Sequence, residues 1–345
     1  MNINASIIGA NGYTGLELIN ILICHPDVTL KYVTSRSDQG KKVSDIYPSL
    51  FSRCDLSFSQ ADYDKIAQES DIVFLALPHG ASAAAAKELY NKGTRIIDLS
   101  ADFRYQNLNT YEDTYKTSHP CPELNSAAVY GLSEIYREQI KKARIVANPG
   151  CYTTAAIVAL YPLLEARAIR ADNIIIDAKS GITGAGRKSD INCSMSENLE
   201  NFKAYSLTNH RHTSEIEEQL SKANKAPLKV NFSPHLLPVK RGILATIYCD
   251  LFDQDKDIKA IYDNFYQESK FISVLEENRL PELKNVTGSN YVQIGFIKDK
   301  RLNKLIVVSC LDNLVKGASG QAVQNMNIMF GIEESRGLDF IARYL

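Results

Sequence analysis

The residue whose type and position most clearly suit a chemical role is Cys151, in the segment VANPGCYTTAAIVAL. The apolar run before it predicts a strand, Pro149 and Gly150 predict a turn, and residues 152–164 predict a helix. Cys151 is therefore expected at a helix N-terminus, where unpaired amides stabilise the thiolate that acts as a nucleophile. The sequence predicts a reactive thiol here, and the alternative is a buried cysteine that only begins a helix.

The histidines are candidates for the acid/base role that thiol chemistry on a carbonyl group requires. His210 and His212, in LTNHRHTSEIEEQL, precede a predicted helix for which Thr213 is the expected N-cap. His235, in NFSPHLLPVK, is a third candidate. Spacing does not choose between His210 and His212. Of the three further histidines, His25 is predicted to be structural and His79 to line a cofactor cleft. His119 is predicted to lie in a polar loop.

A glycine-rich turn, GANGYTG, separates a predicted strand over residues 3–8 from a predicted amphipathic helix over about residues 13–24. Glycines let backbone amides approach a pyrophosphate, and the N-terminus of the following helix favours negative charge. The spacing differs by one residue from the commonest dinucleotide fingerprint, and a plain strand-to-helix turn is the alternative. The predicted cofactor-binding residues of this turn are Gly9, Asn11, Gly12, Tyr13, Thr14 and Gly15.

The choice of dinucleotide is read about twenty residues after the turn, at the end of the second predicted strand. Ser35, Arg36 and Ser37 offer hydroxyls and a guanidinium there, which suit the 2′-phosphate of NADP(H). Asp38 follows directly and keeps open a ribose-binding role, which is typical of NAD. A solvated loop is the remaining interpretation. The sequence favours NADP(H).

Short apolar runs alternate with helix-compatible stretches in the N-terminal part of the chain, which predicts an α/β fold with a Rossmann-type doubly wound parallel sheet. After Leu164 the strands have longer connections, which predicts an α+β catalytic domain with a mainly antiparallel sheet. The helix in NLVKGASGQAVQNMNIMFG is expected to pack back against the first domain. The predicted domains are residues 1–147 with 318–345, which bind NADP(H), and residues 148–317, which serve catalysis, substrate binding and oligomerisation.

Composition and charge restrict the class of protein. A length of 345 residues with 45% hydrophobic side chains supports two packed cores. The formal net charge of −1 gives no electrostatic reason to expect nucleic acid or an anionic membrane as a partner. The sequence shows no signal peptide and no apolar stretch of about 18 residues, which predicts a cytoplasmic protein that acts on small molecules.

The seven cysteines are scattered without a CxxC pair, which predicts neither a disulfide framework nor a metal site. Cys24, Cys249 and Cys310 lie within apolar runs and are expected to be buried. Cys151 differs from them because it follows a turn.

A reactive cysteine beside a nicotinamide indicates one reaction class. Attack of the thiolate on an activated acyl group gives a thioester, and hydride delivery to the thioester carbonyl leads to an aldehyde. Ligands of a doubly wound sheet bind at the carboxyl ends of its strands, where Cys151 is predicted to lie. The alternative from another class is a non-catalytic, NADP-binding redox sensor in which Cys151 is oxidised instead of acylated.

Several segments together resemble the N-acetyl-gamma-glutamyl-phosphate reductase family: GANGYTGLEL, NPGCYTTA, SGITGAGR, HRHTSEIEEQ and HLLPVKRGILAT. The family comprises NADPH-dependent enzymes of arginine biosynthesis related to aspartate-semialdehyde dehydrogenases, and the resemblance runs along nearly the whole chain. It implies reduction of an N-acetyl-L-glutamyl 5-phosphate to the 5-semialdehyde, release of inorganic phosphate, and a homo-oligomer of two or four subunits. A sister enzyme acting on aspartyl phosphate or a carrier-linked aminoadipyl phosphate stays open, as does the acyl group on the substrate nitrogen.

The resemblance also assigns residue roles. It implies that Cys151 is the nucleophile and that His210, not His212, is the acid/base catalyst. The segment KSGITGAGRKS is rich in amides and carries Arg187, which suits an acyl phosphate, although a surface turn would explain its glycines. Arg104 is predicted to bind a substrate carboxylate or phosphate, with an exposed structural ion pair as the alternative. The further predicted substrate residues are Ser180, Gly181, Tyr205, His212 and Glu215, and the further cofactor residues are Gly184, Asn313 and Lys316, beside Gly317.

Overall fold

The computed structural model describes residues 2–187, 191 and 194–342. These residues form two compact units. The first unit contains residues 2–149 and Ala318–Asp339, and the second contains Gly150–Gly317 and residues 340–342. Cys193, and residues 188–189 at the end of KSGITGAGRKS, lie outside the described residues.

The first unit is built on a parallel sheet. Its strands are Ile3–Ile8 (β1), Val28–Thr34 (β2), Phe58–Ser59 (β3), Ile72–Leu75 (β4), Arg95–Asp98 (β5), Ala128–Tyr130 (β6) and Ile145–Ala147 (β7). They lie in the order β3-β2-β1-β4-β5-β7-β6, and each neighbouring pair is parallel. The chain winds outward in opposite directions from β1 and β4, and such a sheet binds ligands in the crevice at this switch point. The prediction of a Rossmann-type sheet is confirmed.

The second unit is built on a mixed, mainly antiparallel sheet. Its strands are Ile174–Gly181 (β8), Lys203–Ala204 (β9), Val230–Leu237 (β10), Ile243–Asp250 (β11), Ile272–Val274 (β12), Val292–Asp299 (β13) and Lys304–Leu311 (β14). They lie in the order β12-β13-β14-β11-β8-β10-β9. β8 pairs with β10, and β12 with β13, in parallel, while the other pairs are antiparallel. This confirms the predicted fold class of the second sheet.

Several of the helices contact strands of these sheets. Their bounds are Tyr13–Cys24 (α1), Val43–Ile46 (α2), Tyr63–Glu69 (α3), Ala81–Asn91 (α4), Leu108–Tyr115 (α5), Pro122–Asn125 (α6), Ser133–Ile140 (α7), Cys151–Glu165 (α8), Met195–Asn198 (α9), His212–Asn224 (α10), Ile258–Tyr266 (α11) and Gly320–Met329 (α12). Among the described residues, no helix combines the length and the apolar character that crossing a bilayer requires. α12 packs against α1 and α7 in the first unit.

The cysteines expected in the core divide into two groups. Cys249 and Cys310 are buried, as predicted, and burial raises the pKa of each thiol to about 12. Cys24 is exposed, so the prediction for it is wrong. The buried face of α1 includes Leu18 and Leu22, which are four residues apart. Cys24 follows Leu22 by two residues, which turns its side chain away from that face.

Candidate active site

Cys151 lies at the N-terminus of α8, as the sequence predicts, although the helix begins at Cys151 itself, one residue before the predicted start. Gly150 occupies the N-cap position with extended backbone, and no side chain caps the helix there. The first turn of α8 contains no acidic residue. Cys151 is partly exposed, whereas residues 152–160 are buried. The N-terminus of α8 therefore places its dipole and its first amides where they can stabilise an anion on the sulfur of Cys151.

Glu215 of α10 fixes the turn that carries Cys151. Its Oε1 atom accepts hydrogen bonds from the amide of Gly150 and from the hydroxyl of Thr153, both at 3.0 Å. The side chain is only 1% exposed. The sequence placed Glu215 in the substrate pocket, and that role stays a prediction. Sequence reasoning missed its contact with the turn, because 65 residues separate Glu215 from Gly150.

Gly317 lies directly against the cysteine. A Cβ atom added to Gly317 would stand 2.7 Å from Cβ of Cys151 and 3.2 Å from its Cα. Both separations are shorter than an ordinary contact between carbon atoms. Gly317 therefore has to be glycine because Cys151 packs onto its backbone, which spacing in the sequence alone does not indicate.

His210 stands at the entrance of α10 and replaces the expected cap. The helix begins at His212, so the prediction that Thr213 is the N-cap is wrong. The amide of His212 donates to Nδ1 of His210 at 3.0 Å. The ring therefore satisfies one of the amides that a helix N-terminus leaves without an intrahelical partner. Because Nδ1 accepts this bond, the proton of the neutral ring belongs on Nε2.

The surroundings of His210 keep its ring neutral. Its centroid lies 5.7 Å from that of Tyr152, 5.6 Å from Tyr205 and 5.2 Å from Phe232. Burial among these rings, and then the charge of Arg211, lower the pKa of His210 to about 4. The imidazole is therefore neutral near pH 7, with Nε2–H as its hydrogen-bond donor.

Two hydrogen-bonded tyrosines connect the cysteine helix to the backbone of His235 in β10. The hydroxyl of Tyr205 donates to the hydroxyl of Tyr152 at 3.2 Å, and that of Tyr152 donates to the carbonyl of His235 at 3.1 Å. Burial raises the pKa of Tyr152 far above its ordinary range. Tyr205 and His210 both line a cavity of about 390 Å³. The other residues that line this cavity are Gly184, Ala185, Lys203, Arg211 and Leu236.

The predicted phosphate loop, residues 180–187, begins at the end of β8. Ser180 is buried. A Cβ atom on Gly181 would approach the amide nitrogen of Arg241 to 2.8 Å, and one on Gly184 would approach Oγ of Ser180 to 2.9 Å. These glycines therefore allow the loop to pack closely against its surroundings, which a plain surface turn would not require. Arg187 is exposed at the end of the loop.

Asn313 anchors the phosphate loop from the following part of the second unit. Its Oδ1 atom accepts from the amide of Gly242 at 2.8 Å, and its Nδ2 atom donates to the hydroxyl of Thr183 at 3.0 Å. Lys316 is fully buried, and its ammonium lies 5.7 Å from the centroid of the Phe271 ring. The cofactor roles of Asn313 and Lys316 stay predictions.

The glycine-rich turn of the first unit has the geometry of a pyrophosphate cradle. Gly9 has a φ of +86°, and a Cβ atom there would meet the carbonyl oxygen of Ala76 at 2.7 Å. A Cβ atom on Gly15 would meet the carbonyl oxygen of Ala10 at 2.5 Å. Gly12 is the N-cap of α1, without a side-chain cap and with open space around its Cβ position. The turn therefore presents helix amides to open space, which suits a dinucleotide.

The segment predicted to distinguish NADP(H) from NAD(H), residues 35–37, lies beside this turn. The Nδ2 atom of Asn11 donates to Oγ of Ser37 at 2.8 Å. Ser35 is buried, and its Oγ accepts from the amide of Asp38 at 3.2 Å. Arg36 is exposed. The structure thus brings the Ser-Arg-Ser segment together with the glycine-rich turn.

Arg104 is not part of the exposed ion pair that was the alternative to its predicted substrate-binding role. It is buried within the first unit. Its Nε atom donates to the carbonyl of Asn148 at 2.8 Å, and Nη2 donates to the carbonyl of Leu99 at 3.0 Å. Arg104 therefore braces the chain that follows β7, and its substrate-binding role stays a prediction.

The remaining histidines have separate surroundings. His25 is buried, and its Nε2 is 3.1 Å from Oδ1 of Asn327, which agrees with the structural role predicted for it. His119 is buried as well, while His79 is exposed and its ring lies tilted against that of Tyr115, with the centroids 4.9 Å apart. Nδ1 of His235 faces Asp177 at 3.2 Å.

Two family models match the chain. The model described as semialdehyde dehydrogenase, NAD binding domain, matches residues 4–143, and the one described as semialdehyde dehydrogenase, dimerisation domain, matches residues 151–313. An N-acetyl-gamma-glutamyl-phosphate reductase from Acetivibrio thermocellus is 47% identical over 344 residues, which are 99% of each chain. One from Caldicellulosiruptor bescii is 50% identical, again over 99% of each chain.

The chain belongs to the N-acetyl-gamma-glutamyl-phosphate reductase family. Members of this family are oxidoreductases of amino-acid biosynthesis, as the resemblance implied. The first unit therefore contains an NAD(P)-binding domain, to which the glycine-rich turn belongs.

Solved structures share the fold of this reductase family member at low sequence identity. Aspartate semialdehyde dehydrogenase II from Vibrio cholerae, complexed with ASA, has a TM-score of 0.72 and 18% identity over 96% of this chain and 99% of its own. The Candida albicans aspartate semialdehyde dehydrogenase with NADP has a TM-score of 0.70 and 17% identity over 96% and 99%, respectively. These neighbours support the architecture of parallel and mixed sheets.

Proposed function

We propose that the chain reduces N-acetyl-L-glutamyl 5-phosphate with NADPH to N-acetyl-L-glutamate 5-semialdehyde and inorganic phosphate, the third step of arginine biosynthesis. The observation that carries the proposal is the position of Cys151, at a helix N-terminus within a chain that resembles curated reductases of this name along its whole length. The first unit binds the dinucleotide in this proposal, and the second binds the substrate.

The first step forms a thioester on Cys151. The thiolate attacks the acyl-phosphate carbonyl, a sulfur–carbon bond forms, and the bond from carbon to the phosphate oxygen breaks. Inorganic phosphate leaves with the electron pair of that bond. Arg187 and the amides of the phosphate loop bind the departing charge, with Ser180 and Gly181 at the beginning of that loop. NADPH, when bound, supplies the hydride that reduces the thioester carbonyl.

His210 stabilises the carbonyl oxygen as negative charge develops on it. Its neutral ring offers Nε2–H, because Nδ1 accepts from the amide of His212. The tetrahedral oxyanion then collapses, the carbon–sulfur bond breaks, and the aldehyde leaves while Cys151 returns as a thiolate. These steps require a hydrogen-bond donor at the oxygen and no proton transfer from the ring. This role is narrower than the acid/base role that the resemblance implies.

The residues of the first unit fit NADP(H). Amides of the glycine-rich turn bind the pyrophosphate, and Ser35, Arg36 and Ser37 bind the 2′-phosphate. In the second unit, Tyr205, His212 and Glu215 serve the substrate pocket. A cytoplasmic location and a homo-oligomer stay predictions.

The decisive experiment measures phosphate-dependent reduction of NADP⁺ with N-acetylglutamate 5-semialdehyde, beside aspartate semialdehyde and beside NAD⁺. We expect turnover only with the acetylated aldehyde and NADP⁺. Cys151→Ser should abolish turnover and keep NADPH binding, while the exposed-thiol control Cys24→Ser should keep both. Turnover with aspartate semialdehyde alone would reassign the substrate. Comparable activity of Cys151→Ser would overturn the covalent mechanism.

A further inference from the structure

A carboxylate lies beside the glycine-rich turn, where an unpaired negative charge would oppose the binding of NADP(H). Asp38 follows β2 by four residues, and one of its oxygens lies 3.4 Å from Nδ2 of Asn11 in the turn. In dinucleotide-binding domains, an acidic residue in this place binds the ribose 2′-hydroxyl and favours NAD. A charged carboxylate here would repel the 2′-phosphate of NADP(H).

The loop that carries Asp38 is held in place. The amide of Gly40 donates to the carbonyl of Phe58 at 2.8 Å, and the amide of Phe58 donates to the carbonyl of Lys41 at 2.9 Å. The amide of Lys41 also donates to the carbonyl of Asp38 at 3.1 Å, which closes a turn between them. These bonds to β3 argue against a freely solvated loop and bring the two charged side chains together.

The charge of Asp38 is matched within this turn. The ammonium of Lys41 donates to Oδ1 at 3.0 Å, and the hydroxyl of Ser37 donates to Oδ2 at 3.0 Å. These bonds, with that of Lys41 contributing most, lower the pKa of Asp38. Asp38 is therefore an anion at neutral pH, and Lys41 is its counter-ion.

We propose that Lys41 determines the preference of the first unit for NADP(H), because it neutralises Asp38 and so permits the 2′-phosphate to bind at Ser35, Arg36 and Ser37. This inference rests on the proposed use of NADP(H). Lys41 acts indirectly, because its ammonium pairs with Asp38 and is not itself proposed to bind the cofactor. Without Lys41, the unpaired carboxylate repels the phosphate and leaves the 2′-hydroxyl of NAD(H) acceptable.

The experiment is a fluorescence titration of the full chain with NADPH and with NADH, which measures both dissociation constants without turnover. The variants are Lys41→Gln, Asp38→Asn and the double variant, with Lys42→Gln as the control. Lys42 is the adjacent cation, also exposed, at the N-cap position of α2. Thermal unfolding of each variant confirms that it is folded.

We expect Lys41→Gln to weaken NADPH binding about fivefold, the scale of an exposed ion pair, and to leave NADH binding unchanged. Asp38→Asn should weaken NADH binding only. The double variant should regain the NADPH affinity that Lys41→Gln loses. A double variant as weak as Lys41→Gln, or an equal loss in Lys42→Gln, would overturn the inference. Failure of the unmodified chain to prefer NADPH would instead overturn the proposed cofactor.

Discussion

Replacement of Gly317 by alanine tests how closely the active site depends on the position of Cys151. The added Cβ atom would lie 2.7 Å from Cβ of Cys151, and the nearest backbone atoms are Cα of Cys151 at 3.2 Å and the carbonyl oxygen of Asp312 at 3.3 Å. An ordinary contact between carbon atoms is about 3.5–4.0 Å, so the two backbones have to separate by about 1 Å. None of these three atoms is the end of a flexible side chain, so the contact is relieved only when Cys151 and residue 317 move apart.

The magnitude follows from that displacement. A misplacement of about 1 Å in an active site costs up to about 10²-fold in rate, so we expect kcat to fall by about 10- to 100-fold. Overpacking also costs about 1–3 kcal/mol of the free energy of unfolding. Gly295→Ala is the matched control, because Gly295 lies in β13 and its added Cβ atom would also be overpacked, at 2.3 Å from the carbonyl oxygen of Arg279. It should lose stability but keep the kcat of the folded protein.

The assay combines steady-state kcat with denaturant unfolding and with the rate at which iodoacetamide labels Cys151. Labelling is quantified on the peptide that contains Cys151, because Cys24 is also exposed. Gly317→Ala should label at a changed rate, and Gly295→Ala should not. A Gly317→Ala protein with unchanged kcat and unchanged labelling would refute the packing argument.

Two further predictions concern the residues around the cysteine helix. Glu215→Ala should lower the free energy of unfolding by about 1–3 kcal/mol, because the buried amide of Gly150 loses its acceptor, and Glu215→Gln should lose less because it keeps an oxygen; equal losses in denaturant titrations would contradict this. His210 has its pKa lowered from 6.5 to about 4, so between these pH values the unfolded chain binds a proton that the native chain does not. The unmodified chain should therefore lose stability, relative to His210→Gln, as the pH falls through this window, and parallel stability profiles of the two proteins would contradict the burial of a neutral ring.

The sequence predicted the structures that depend on neighbouring residues. The bounds of β1 and α1 follow from apolar periodicity interrupted by glycine turns and agree with the structure, and the predicted beginning of α8 differs from the observed one by a single residue. The same local reasoning predicted the glycine-rich turn, whose Gly9 requires a positive φ. The sheet types followed from the alternation of strands and helices along the chain.

Two predictions failed, one for the N-cap of α10 and one for the burial of Cys24, because a preference of the residue type was overridden by the local structure. Thr213 is a favoured N-cap residue, but the ring of His210 accepts the helix amide in its place and the helix begins earlier. Cys24 lies in an apolar run, but its position in the helix turns it outward. The contacts of Glu215 and Gly317 with the cysteine turn could not be predicted, since they join residues far apart in the sequence.

Those distant contacts hold the turn that carries Cys151, the proposed nucleophile. The side chain of Glu215 accepts the amide of Gly150, which fixes the turn immediately before Cys151. The contribution of Glu215 that the structure shows is positional, since its Oε1 atom holds both the amide of Gly150 and the hydroxyl of Thr153. Gly317 limits the position of Cys151 from another side. The cysteine is therefore held by packing and hydrogen bonding from two separate parts of the chain, and the proposed chemistry depends on that position as well as on the thiol itself.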